Sequence, residues 1–234
     1  MHSTQRGFTL IEIAIVLVIV GLLLGGVLKG QELITSARVR NVISMQDGVK
    51  AAFFGFQDRF RAFPGDYSQA QQNIANMSAI CNNGNGNGDG LINPGGDEPI
   101  LAWEQLSRAG FLTGTYACAA GGNNTPNSTP TSPYNVFLQM IFDNNYAAEP
   151  GLAQVARHNL KIGGQIPVEI IAEVDRKTDD GRPATGSMRF SPYAPGALPA
   201  PVANGVGTCG DLTAGVNQWF AANGTPNCGA AILF

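Results

Sequence analysis

The sequence is short of charge. Only 13% of its residues are Asp, Glu, Lys or Arg, and 17 acids against 14 bases leave a formal net charge of −3. That balance offers no basic stripe of the kind a nucleic-acid binder needs, and no basic patch interleaved with aromatics. Histidine is scarcer still, with two residues, His2 and His158. His158 stands between Arg157 and Asn159 without a recognisable nucleophile motif. It reads as a surface histidine, and the chain is not expected to be an enzyme. Cysteine numbers four, at 81, 118, 209 and 228, with no Cys-x-x-Cys. An even count without that spacing points to disulfides rather than a metal cluster.

Apolar character, in contrast, is concentrated at one end. From Phe8 to Leu28 every residue is apolar or small except Thr9 and Glu12. A helix of that length rises about 30 Å, enough to cross the hydrocarbon core of a bilayer. One carboxylate inside such a run is expensive and marks a functional position. The leader before it, Met1–Gly7, holds the single cation Arg6. An ordinary secretory signal has its small-residue cleavage site after the apolar core. Here the small residue, Gly7, precedes it.

The stretch Arg6-Gly7-Phe8-Thr9-Leu10-Ile11-Glu12 with its apolar continuation resembles the class III signal of type IV prepilins and type II secretion pseudopilins. The resemblance implies cleavage between Gly7 and Phe8 by a membrane-embedded prepilin peptidase, which also N-methylates Phe8. It implies an α+β pilin fold, a long N-terminal helix packed on a loop-rich head with a small antiparallel sheet. Residues 1–7 would be leader, 8–29 the transmembrane and filament-core helix, 30–63 an amphipathic continuation and 64–234 the head. Glu12 would be the family glutamate. The freed amine of Phe8 sits about one turn from it, and both charges are costly in a bundle core unless paired. A neighbouring copy displaced along the axis could bring its amine to this carboxylate and set the register.

The function so implied is that of a structural subunit assembled into a type IV pilus. Its partners would be further copies or other pilins, the prepilin peptidase and an inner-membrane assembly platform. It would span the inner membrane once before assembly and stand in an extracellular pilus afterwards. Alternatives are a pseudopilin of a periplasm-spanning type II secretion filament, and a minor pilin whose head is an adhesin or DNA-uptake module. Glycines 21, 25, 26 and 30 form small-xxx-small pairs suited to close helix approach, or simply flexibility. Many pilins have a kinking proline at the membrane–head junction. This chain has Lys29 and Gly30 there, so bending is left open.

Beyond Lys29 the run becomes amphipathic, with Leu33, Ile34, Val42, Met45, Val49, Phe53, Phe56, Phe60 and Phe63 mostly three and four apart, up to Pro64. Residues 101–112 predict a short helix with Leu101, Leu106 and Trp103 inward. Residues 119–133 predict an exposed loop, and 134–142 a strand. Residues 166–174 alternate as a strand would, yet Pro167 and the Glu, Ala, Arg and Lys content favour a helix ending near Asp180-Gly181. Residues 186–191 predict a returning strand. The acidic run Asp175–Gly181 reads as a solvated helix end, with a second cation as the rarer alternative.

Asn85, Asn87 and Asp89 place side-chain oxygens at alternate positions before Gly90, like the front half of an EF-hand calcium loop. Gly96 stands where the closing glutamate belongs, with Asp97 and Glu98 directly after it. The expected calcium ligands are Asn85, Asn87, Asp89, the carbonyl of Leu91, and Asp97 or Glu98. The alternative is an Asn/Gly turn without metal. A C-terminal cysteine pair enclosing a loop resembles the disulfide-bounded region of type IV pilins. Of three connectivities, the simplest joins Cys81 to Cys118 and Cys209 to Cys228.

Overall fold

No proline interrupts residues 10–60, and helix α1 spans Leu10–Phe60, 51 residues. The computed structural model describes residues 10–119, 121 and 123–234. The chain divides into two compact units, Met1–Arg38 and Val39–Phe234. Lys29 and Gly30, the position left open for a bend, lie inside α1. The helix stops at Phe60, short of the expected Phe63. Arg61 adopts φ 56° and its N–H meets the Gln57 carbonyl at 2.9 Å. Pro64 then disfavours helix at Phe63.

Along α1 the burial pattern changes with the sequence pattern. Val39, Val42, Gln46, Val49, Ala52, Phe53 and Phe56 are buried, at steps that keep to one helical face. Leu33 and Ile34, expected on that face, stay exposed. Phe53 stacks on Phe234 with ring centroids 4.4 Å apart and on Phe63 at 5.5 Å. Phe53, the one fully buried ring of the three, contributes about 1.5–3 kcal/mol.

Two short helices and a 3-10 turn follow in a loop-rich stretch: α2 (Ala70–Asn73), the turn Asn82–Gly84 and α3 (Glu98–Arg108). The last begins three residues before the expected Leu101 because Pro99 sits at its start, where a missing N–H costs nothing. Gly110 at φ 83° closes it, and Phe111 N–H reaches the Leu106 carbonyl at 2.9 Å. Trp103, Leu101 and Leu106 are buried, as expected.

The main sheet is antiparallel, in the order β1-β2-β6-β3. Its strands are β1 (Gln139–Asp143), β2 (Arg157–Lys161), β3 (Met188–Phe190) and β6 (Ala230–Leu233). β6 is buried along its whole length, which is why Ala230-Ala231-Ile232-Leu233 reads as a continuous apolar run rather than an alternating one. A ribbon of β4 (Gly210–Asp211) and β5 (Gln218–Trp219) lies in the C-terminal region.

Three expectations need correction. The strand placed at 134–142 is regular only from Gln139, and its first half makes an isolated bridge, Thr131 to Phe137. The stretch 119–133 is not simply exposed, because Ser128, Thr129 and Ser132 are buried. His158 is half-buried between the rings of Phe63 at 4.2 Å and Phe142 at 5.0 Å, and that burial lowers its proton affinity. The ambiguous stretch at 166–178 resolves as helix α4 (Val168–Thr178), with Pro167 as its N-cap. Ile166 makes a single bridge to Cys228 before it.

Candidate functional site

The first functional element is the outer part of α1. An 18-residue window of the helix is long and apolar enough to cross a membrane, and none of that window is buried. Leu17, Leu22 and Leu28 are all about two-thirds or more exposed. Glu12 occupies the first turn of α1 and is the one acidic residue between Leu10 and Leu28. Gly7 and Phe8, the expected cleavage and methylation positions, lie outside the described residues. Glycines 21, 25, 26 and 30 have nothing within 4 Å of where a Cβ would stand. The outer helix therefore offers a bare, small-residue surface to whatever surrounds it.

The second element is built by α3. Its first turn buries Glu98, whose two oxygens accept the N–H groups of Asn87 at 3.1 Å and Asn93 at 2.8 Å. Asp66 does the same from the turn after α1, accepting Gly88 N–H at 2.7 Å and Gly90 N–H at 3.0 Å. The glycine-rich segment thus folds around two buried carboxylates with its amides inward. Gly86 approaches so closely that a Cβ there would stand 2.2 Å from the Asp66 carbonyl carbon. Six residues on, Glu104 accepts Ser78 N–H at 2.6 Å, Ser78 Oγ–H at 2.8 Å and Cys118 N–H at 2.8 Å. Gln105 accepts Gly65 N–H at 2.7 Å.

The calcium candidates fall on this network. Asn85 Oδ1 turns to the N–H of Gln71 in α2, 2.9 Å away. Asn87 Oδ1 accepts Asp89 N–H, and Asp89 Oδ1 accepts Leu91 N–H, both at 2.9 Å. Asp89 Oδ2 receives the side-chain amides of Asn87 and Asn93. Asp97 precedes α3 and its side chain makes no capping bond. The structure therefore brings Asn87, Asp89 and Glu98 to one turn and directs Asn85 away from it. A cation here would have to displace hydrogen bonds that these oxygens already accept.

Charge is nevertheless crowded at the turn. Burial raises the proton affinity of Asp66, the Gly90 and Gly88 amides oppose it, and the charge of Asp89 adds to the rise. Burial likewise raises Glu98, against the amides of Asn93 and Asn87, with Asp66 and Asp89 raising it further. Asp89, at the surface, is held below the usual carboxylate range, mostly by Asn93. Asp66, two residues after Pro64, is not among the expected ligands. The available signal was a run of glycine amides with no other acceptor in sight.

Two disulfides flank these elements. Cys81 bonds to Cys118 and Cys209 to Cys228, and no described cysteine is free. The first bridge adjoins the Glu104 hub through Cys118 N–H. The second encloses β4 and β5, so that Trp219 is buried and its indole N–H reaches Asp175 at 2.6 Å.

No curated protein and no solved structure matches the chain. Residues 2–28 match the family described as the prokaryotic N-terminal methylation motif, and the long apolar helix is consistent with that match. The chain thus carries the N-terminal signal of the type IV pilin and pseudopilin family.

Proposed function

We infer that the chain is the precursor of a structural pilin, cut after Gly7, methylated at Phe8 and packed by α1 into a type IV pilus. The observation that carries this reading is the apolar outer segment of α1, none of it buried, within the methylation-signal match, in a chain whose head has its own buried core. An exposed apolar surface of that length needs lipid before assembly and neighbouring helices after it. Glu12 then serves as acceptor for the Phe8 amine of an adjacent copy, a pairing that selects one axial register. The C-terminal disulfide loop supports a pilus. The crowded acidic turn around Asp89 supports the second reading, a pseudopilin of a type II secretion system, with calcium offsetting the repulsion among Asp66, Asp89 and Glu98.

The test is electron microscopy of sheared filaments, with intact-mass analysis of their subunit. The expected result is a chain beginning at N-methylated Phe8. Glu12→Ala should insert into the membrane normally yet yield few or no filaments. Filaments of normal number and length from Glu12→Ala would defeat the pairing account. Retention of residues 1–7 in filaments would defeat the processing.

A further inference from the structure

The C-terminal end of α4 gathers three carboxylates that neither the filament helix nor the α3 network uses. Asp175, Asp179 and Asp180 each present an oxygen, and these atoms all lie within 4.8 Å of one another. Calcium holds oxygen ligands at about 2.3–2.6 Å, so two ligands of one ion stand at most about 5 Å apart. The set meets that limit. The free carbonyls at a helix C-terminus add partial negative charge.

Asp175 is what separates this cluster from an ordinary acidic surface. It is fully buried. Its Oδ2 accepts the Trp219 indole N–H, while its Oδ1, also buried, accepts no hydrogen bond of ordinary geometry. A buried carboxylate oxygen without a donor is costly and rare. Burial is the main cause that pushes the Asp175 carboxyl up to about 7. Asp180 and Asp179 add to the rise, and Trp219 and the Gly181 amide oppose it.

The other two ligands are held by the chain itself. Asp179 Oδ2 accepts Ser187 N–H at 2.6 Å and Met188 N–H at 2.8 Å. Asp180 accepts Arg182 N–H at 2.9 Å and the Thr185 hydroxyl at 2.5 Å. The nearest cations of α4 are engaged elsewhere, since Arg176 and Lys177 both pair with Glu173. Among the described residues, no Lys or Arg forms an ion pair with any of the three aspartates.

We propose that Asp175, Asp179 and Asp180 bind a hard divalent cation of calcium size at the C-terminal end of α4, with Trp219 orienting the buried ligand. An all-oxygen, all-carboxylate set selects calcium, magnesium or manganese over zinc or copper. The burial gradient sets the path, with Asp180 exposed, Asp179 half-buried and Asp175 innermost. The ion meets the buried Oδ1 of Asp175, which accepts no hydrogen bond of ordinary geometry. It also ties α4 to the loop bounded by Cys209 and Cys228, because Trp219 belongs to that loop.

Terbium, which occupies calcium sites and luminesces when a nearby indole is excited, reports on this geometry. Purified full chain in detergent is expected to give tryptophan-sensitised terbium emission that calcium displaces, with half-saturation of about 10⁻⁴–10⁻³ M for calcium. Trp219→Phe should remove the sensitisation. D180N, at an exposed position, and D179N should each weaken binding about tenfold or more. Asp58→Asn, at an exposed position on α1, should leave the emission unchanged. Emission that persists in Trp219→Phe and in D179N and D180N would overturn the proposal, and so would emission lost in Asp58→Asn. Absence of both terbium emission and any calcium-dependent rise in Tm would overturn it equally.

Discussion

Two acidic sites in the head start from the same material and end differently. Around α3, Asp66 and Glu98 are buried and every carboxylate oxygen accepts a backbone N–H. At the end of α4, Asp175 is buried as deeply, but its Oδ1 accepts no hydrogen bond of ordinary geometry and only the Gly181 amide stands near the carboxylate. The difference lies in the backbone nearby. Residues 84–93 are rich in glycine and asparagine, so amides can turn inward and reach a carboxylate without side chains in the way. In the stretch after α4 the amides of Arg182, Ser187 and Met188 go to Asp180 and Asp179 instead. Burial of an acid is thus a fold-stabilising device in one place and a demand for a ligand in the other. Each site is also pinned by a disulfide, through Cys118 at α3 and through the loop carrying Trp219 at α4.

The largest expected effect comes from breaking the pin of the α4 site. Cys209→Ser opens a loop of 19 residues and should cost about 3 kcal/mol, read from the denaturant midpoint of the full chain. It should also free Trp219, seen as a red shift of its fluorescence. A midpoint within experimental error of wild type would show that the bridge is not formed in the native protein.

Next is Glu98→Ala, which leaves the Asn87 and Asn93 N–H groups without an acceptor. A loss of about 2–3 kcal/mol is expected, because each buried unmet amide costs about 1–3 kcal/mol. Asp89→Ala, whose side chain is at the surface, should cost much less. Equal losses would mean that the buried carboxylate is not the organiser of the turn.

The pH dependence sharpens the contrast further. The folded carboxyl of Asp175 is raised from an ordinary 3.8 to about 7, so between those values the folded state holds more protons than the unfolded one. Stability must therefore fall as pH rises through that window. The shifts of Asp66 and Glu98 have the same sign. Asp175→Asn should flatten the decline above pH 5 in the absence of divalent ions. An unchanged slope would place the proton elsewhere.

The smallest expected effect is calcium at the Asn85–Glu98 turn. With a dissociation constant of about 10⁻⁴–10⁻³ M, a tenfold excess should stabilise the head by about 1.4 kcal/mol. Measured in D180N to silence the α4 cluster, that rise in Tm should vanish on adding Asp89→Ala. No rise in D180N would mean that the turn is held by its own hydrogen bonds alone.

Sequence by itself determined what depends on local pattern. The apolar run with one carboxylate after Arg6-Gly7, the amphipathic steps from Val42 to Phe56, the helix start at Pro167, and the even cysteine count are all written within a few turns of chain. Tertiary structure decided what depends on partners distant in sequence. Whether Asn85, Asn87 and Asp89 point at a common centre turned on Asp66 and Glu98 claiming the intervening amides. His158 became half-buried because Phe63 and Phe142 close over it, although its sequence neighbours are polar. Asp175 keeps one buried oxygen without a hydrogen bond of ordinary geometry, although Trp219, 44 residues away, donates to the other. Backbone amides and buried oxygens must each find a partner somewhere, and the choice of partner is made by packing rather than by spacing along the chain.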